Sequence, residues 1–190
     1  ARAIPIGLIL AGDSKLAFDT AVNVAALSHS NPVAYYSAGA LAALMSCLMY
    51  GLTLPKALER VEVLLSKLHK TNTILSLLTA AEEQANNHPA GKSGTWDHLD
   101  AIISLGTGEQ ADEALAIAAY VALAIDDPLD ALIIGANHSG KSNTTAAIVG
   151  AIEGVRFGAS FMPDYWKDIL EGEEATSFLT DKLYYVYRKY

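Results

Sequence analysis

Residues 131–154 read ALIIGANHSGKSNTTAAIVGAIEG. An apolar run, Ala131 to Ile134, leads into a polar loop flanked by Gly135 and Gly140. The loop then enters a small-residue segment, about Thr144 to Ile152, whose composition predicts a helix. Asn137, His138, Ser139, Lys141, Ser142, Asn143 and Thr144 crowd the turn between them. Backbone N–H groups at a helix start, with the positive end of the helix dipole, make a ready site for an anion. Gly135 to Ser142 also spells G-x-x-x-x-G-K-S, the pattern of a phosphate-cradling P-loop. In such a loop backbone amides surround the phosphates, Lys141 reaches the outer ones and Ser142 holds magnesium. That chemistry needs a parallel sheet built from several strand–helix units. The chain after Ser142 has no apolar strand ending in Asp, and the chain before it reads as helices. A P-loop nucleotide-binding protein is therefore the lesser of the alternatives.

The same stretch resembles the C-terminal metal loop of the ADP-ribosylglycohydrolase family, N-H-S-G-D-S-D-[ST]-[ST]-x-A-I-x-G. Asn137, His138, Ser139, Gly140, Ser142, Thr144, Ala147, Ile148 and Gly150 follow that pattern. Lys141 and Asn143 depart from it, and they fall where the family has the two carboxylates that bind magnesium or manganese. A hard divalent cation wants charged oxygen ligands, and lysine brings a repelling charge instead. Two other segments carry the resemblance. The family's L-[TS]-H-x-[HN]-P step, followed by a small-residue helix and G-x-[SD]-L-x-x-A-L, is matched by Ser28, His29, Asn31, Pro32, Gly51, Leu54, Ala57 and Leu58. The family's L-G-x-G-x-x-A-x-E-A-L segment is matched by Gly106, Gly108, Ala111, Glu113, Ala114 and Leu115. Gly158, Pro163 and Trp166 resemble its G-x-x-x-[IL]-P-x-x-W ending.

The start of the chain, ARAIPIGLIL, resembles the family's R-x-x-P-[IL]-G-L step through Arg2, Pro5, Gly7 and Leu8. In the family that step follows a glycine-rich loop around ADP-ribose and a Thr/Ser-Asp-Asp metal motif. The resemblance therefore implies that the N-terminal part of the domain is absent here. The sole Asp pair, Asp126-Asp127, precedes Pro128 and reads as a helix N-terminal charge rather than that motif.

Composition agrees with a helical, non-nucleic-acid protein. The chain has 190 residues, 52% apolar, enough for one domain with its own core. The net charge of −8 argues against nucleic acid, which wants a basic face. The single cysteine, Cys47, excludes an internal disulfide framework and points to a reducing, cytoplasmic compartment. It sits in an apolar helix and reads as a buried structural thiol rather than a nucleophile. The longest uncharged run, Val33 to Tyr50, lies between Asn31-Pro32 and Gly51 and reads as a buried core helix, not a membrane span.

Helical spacing and capping residues predict the remaining elements. Residues 1–10 read as a packed extended entry. Asp13 and Ser14 cap a helix from Lys15 to Ser28, and Asn31 and Pro32 start one to Tyr50. Thr53 and Pro55 open another to about Lys70, and Thr71 one to about Gln84. A polar loop follows at 85–95, with His88 and His98 read as solvated. Helices then run from Gly94-Thr95 to Leu105, from Ala111 to Ile125, from Pro128 toward the central loop, and from Thr176 to about Arg188. Glu171, Glu173 and Glu174 form a solvated acidic turn, and the tyrosine-rich tail with Arg188 and Lys189 is a docking end or a partner contact. No strand alternation, repeat or internal linker is visible.

The fold expectation is thus all-α: a single, orthogonally packed multi-helix domain over residues 1–190, of the ADP-ribosylglycohydrolase type and short at its N-terminus. The resemblance implies a ligand-binding set of His29, Asn137, His138, Ser139, Gly140, Lys141 and Asn143, with Thr144 the one surviving motif ligand for a metal. Active members use two metal ions to orient the ribose and an attacking water. Without the carboxylates the chain is expected to carry no metal cofactor and no catalytic residue, and to bind ADP-ribose, an ADP-ribosylated protein or another partner. The alternative is an active metal-dependent hydrolase whose missing ligands lie outside this chain. A homo-oligomer or a partner segment is expected to cover the face left by the absent part.

Overall fold

The computed structural model describes residues 1–89 and 95–187. Among them there are eleven helices and no strand, as the helical spacing requires. They are α1 (Ile4–Ile9), α2 (Ser14–Ala26), α3 (Pro32–Met49), α4 (Leu54–Leu65), α5 (Asn72–Asn87), α6 (Thr95–Leu105), α7 (Ala111–Ala124), α8 (Pro128–Ala136), α9 (Ser142–Phe157), α10 (Asp164–Asp168) and α11 (Glu173–Tyr187).

Two helices are apolar on nearly every face and form the centre. In α3 a near-continuous stretch from Ser37 to Leu48 is buried, and in α7 so is Ala114 to Ala122. A helix that is apolar all round belongs inside a protein or a membrane. By length and composition α3 could cross a bilayer, but it is packed against α1, α2, α4 and α7. Tyr120, Leu44, Leu58 and Ile117 are fully buried, each contributing about 1.5–3 kcal/mol of transfer free energy. Cys47 is buried in the same helix, as its neighbours implied, and burial pushes its thiol pKa up.

The starts of several helices follow from single residues. Asp13 accepts from Leu16 N–H at 2.9 Å, and Asn31 from Val33 N–H at 3.0 Å. Asp127 accepts from Leu129 and Asp130 N–H at 2.9 and 3.0 Å. The Asp126-Asp127 pair therefore opens α8 as a cap.

Four expectations are corrected. Residues 1–10 are not extended, because α1 occupies 4–9. Pro5 falls in its first turn, where no N–H is needed, and Gly7 lets it press on α3. A Cβ at Gly7 would lie 2.3 Å from Ala42 O. The helix after Thr53 ends at Leu65 rather than Lys70. The buried Thr71 hydroxyl takes up the released chain end, sharing its one proton between Leu65 O at 2.9 Å and Leu68 O at 3.1 Å. His98 is not solvated. It is 5% exposed, on the inner face of α6, with Nδ1 hydrogen-bonded to Tyr120 OH at 2.8 Å. Burial lowers the His98 pKa and pushes Tyr120 up to about 12. The acidic residues Glu173 and Glu174 open α11 rather than forming a turn with Glu171. The 90–94 part of the expected loop, with Gly94, and the tail residues Arg188 and Lys189 lie outside the described residues.

Candidate functional site

A cleft of about 410 Å³ opens where α2, α3 and the N-terminal ends of α7 and α9 meet beside Arg2. Each helix presents one stripe at helical spacing. Ala21, Val24, Ala25 and Ser28 come from α2 and the residues just after it; Ala34, Ser37, Ala38 and Leu41 come from α3. Ala111, Ala114 and Leu115 of α7, with Thr144 and Ile148 of α9, close the far side. Many of these wall residues are alanine, so the backbones stand close and the floor is largely apolar. Polar groups gather at the rim: Arg2, His29, Glu109, Gln110, Lys141 and Thr144. No side-chain cap closes the N-terminus of α7, whose positive end borders this space, whereas at the start of α9 the Thr144 N–H is taken by Asn143 Oδ1.

The central loop joins α8 to α9 at this rim. His138 is 9% exposed and turned into the loop. Gly140 N–H donates to His138 Nδ1 at 3.1 Å, which puts the ring proton on Nε2. Nε2 then donates to Thr145 Oγ1 at 2.6 Å, and that hydroxyl donates to Gly135 O at 2.9 Å. One imidazole and one hydroxyl thus tie the end of α8 to the start of α9. Burial lowers the His138 pKa, in keeping with a neutral ring that accepts and donates.

The loop is clamped from outside by the turn before α7. Glu113 Oε2 accepts from Thr107 N–H, Thr107 hydroxyl and Gly108 N–H at 3.0, 3.1 and 3.0 Å. The turn so fixed presents Thr107 O to Lys141 N–H at 2.7 Å. Gly140 lies against the same carbonyl, and a Cβ there would be 1.9 Å from Thr107 O. The contact requires glycine.

This geometry decides against the phosphate cradle spelled by Gly135–Ser142. Gly135 is a buried helical residue of α8, not the end of a strand. The loop amides already have partners within the protein: Gly140 on His138, Lys141 on Thr107 O, Ser142 on Gly140 O at 2.8 Å, and Thr144 on Asn143 Oδ1 at 2.9 Å. A P-loop leaves such donors for phosphate.

Of the residues singled out in the sequence, His29, Lys141 and Thr144 border the cleft. His29 is exposed at the end of α2, its Nδ1 2.8 Å from Ser28 Oγ. Asn137 and Ser139 are exposed away from the cleft, with Asn137 Nδ2 donating to Ile133 O at 2.7 Å. His138 and Gly140 serve the loop interior, and exposed Asn143 caps its neighbour. Thr145, Glu113 and Thr107 were not anticipated in these roles. Thr145 had a legible signal: with Ile148, Val149 and Ile152 it forms the buried stripe of α9.

A family model described as ADP-ribosylglycohydrolase matches residues 1–190. The chain belongs to the ADP-ribosylglycohydrolase family. No individual curated protein matches it. The metal chemistry that the resemblance implies can be tested on the donors that this family member presents. Lys141 stands at one motif position with its ammonium at the rim, 3.8 Å from the Glu109 carboxylate. Asn143 has its Oδ1 engaged by Thr144 N–H. Glu109 is the one carboxylate on the cleft wall among the described residues, and it faces that ammonium. Among those residues no three His, Cys, Asp or Glu side chains converge. A hydroxyl, a carboxamide and one carboxylate beside a lysine do not fit a hard dication.

Proposed function

We propose that this ADP-ribosylglycohydrolase relative binds an ADP-ribosyl group, free or attached to a protein, in the cleft without a metal ion and without cleaving it. The observation that carries this reading is the pairing of an apolar slot with a cationic rim. The slot volume lies within the usual range for small-molecule sites. Its rim combines the N-terminus of α7, which no side chain caps, with Lys141 and Arg2, a setting suited to a diphosphate. Lys141 supplies a fixed positive charge at the position where the family pattern has a metal-binding Asp. Its ion pair with Glu109 is loose and exposed, so the ammonium is free to turn to an anion.

The test is calorimetric titration of the protein with ADP-ribose, with and without magnesium, for the parent and Lys141→Ala. Binding indifferent to magnesium and weakened about tenfold by Lys141→Ala is expected, the scale of one exposed charge-assisted hydrogen bond. Unchanged affinity in Lys141→Ala removes the role given to the ammonium. Magnesium-dependent release of ADP-ribose from a modified peptide overturns the non-hydrolytic reading and favours a hydrolase completed from outside this chain.

A further inference from the structure

The floor of the cleft holds one polar group. Leu41, Ala21, Ala114, Leu115 and Ile148 there are each 3% exposed or less, and all are apolar. Ser37 is also 3% exposed, on the stripe of α3 that faces the cleft, and its Oγ has no hydrogen-bond partner. Among the described residues it is the single buried side-chain polar atom left without one. Other buried hydroxyls are paired: Ser46 donates to Leu10 O, Thr71 to Leu65 O and Thr145 to Gly135 O, and Tyr120 OH pairs with His98 Nδ1. A buried donor without an acceptor costs stability, and alanine at this position would fit among Ala34, Ala38 and Ala21 with no such cost.

We propose that Ser37 is a ligand-binding, specificity-determining residue: its hydroxyl bonds a polar atom on the ring of the ligand that reaches the floor. The ligand class is a ring with apolar faces and a hydrogen-bonding edge, which describes both a nucleobase and a ribose. The apolar walls take the faces, and Ser37 reads the edge. A site built to hydrogen-bond an edge discriminates against rings that lack it, because the hydroxyl would then stay unpaired. This inference rests on the cleft being the ADP-ribosyl site proposed above.

The experiment compares the parent with Ser37→Ala by calorimetry, using ADP-ribose, ADP and ribose 5-phosphate as probes, and by thermal unfolding without ligand. Ser37→Ala is expected to weaken ADP-ribose about three- to tenfold, the effect of one neutral hydrogen bond. Its unliganded melting temperature is expected to stay level or rise, a result that a merely structural serine would not give. If ADP loses the same factor, the edge read lies in the adenosine half; if only ADP-ribose and ribose 5-phosphate lose it, the edge is that of the distal ribose. ADP-ribose binding to the parent with no loss in Ser37→Ala overturns the role of Ser37 and leaves the site standing. No binding of ADP-ribose to the parent overturns the site and this inference together.

Discussion

The loop at 137–145 and the floor of the adjacent cleft teach opposite lessons about polar residues. The loop is dense in donors and acceptors, yet its amides and its histidine are engaged with one another and with Thr107. It is a strut. The floor is almost all alanine and leucine, yet it adjoins the open space and carries an unpaired hydroxyl. Capacity for a ligand lies in groups whose bonds the fold leaves unmade, and a count of polar residues does not find them.

This contrast predicts large stability effects in the loop and small ones at the cleft. The largest is expected for Gly140→Ala. Its Cβ would meet a backbone carbonyl that Glu113 holds in place, so relief requires moving the whole turn. A loss of about 3 kcal/mol in chemical denaturation is expected, near the upper end for overpacking. A loss under about 0.5 kcal/mol, the scale of an ordinary surface change, would mean that the loop is not clamped. Next comes Thr145→Val, which keeps the shape and removes the hydroxyl. It leaves Gly135 O and His138 Nε2–H without their partner, for an expected loss of about 2 kcal/mol.

Acidification should act on the same strut more gently. His138 and His98 are both held by burial below the ordinary value of 6.5. Below that value the unfolded chain binds protons that the folded rings refuse, so stability falls as pH drops from 6.5 toward their folded values. Above 6.5 these two residues add no pH dependence. Urea midpoints measured between about pH 7.5 and about pH 5.5 should therefore decline on the acid side. Glu62, Glu82 and Glu153, whose pKa values burial raises, act with the opposite sign, so the His138 share is read against His138→Gln, and identical pH profiles for the two proteins would contradict the neutral, proton-donating His138.

Much of the helix order was legible because it rests on local chemistry. Asp13, Asn31 with Pro32, and Asp127 with Pro128 each announce a helix start within three residues, and each does cap one. The resemblance brought Lys141, Thr144 and His29 to notice, and all three border the cleft. Long-range pairing was not legible. His98 sits near a polar loop and reads as exposed, but its partner Tyr120 is 22 positions away on another helix. Pro5 and Gly7 read as helix breakers, but one lies in a first turn and the other meets α3. Ser37 reads as one more small residue in an alanine-rich helix. Only the three-dimensional partner list distinguishes it from Ser46 in the same helix. The Gly135–Ser142 spelling failed for the converse reason, since the helical conformation of Gly135 and the engaged amides are properties of the fold and not of the letters.

The most direct test of the central claim is titration with ADP-ribose in a chelator and again in excess magnesium, followed by heat. A metal-free cleft predicts a saturable isotherm with the same dissociation constant in both. Binding that appears only with magnesium, or no binding in either, would contradict it.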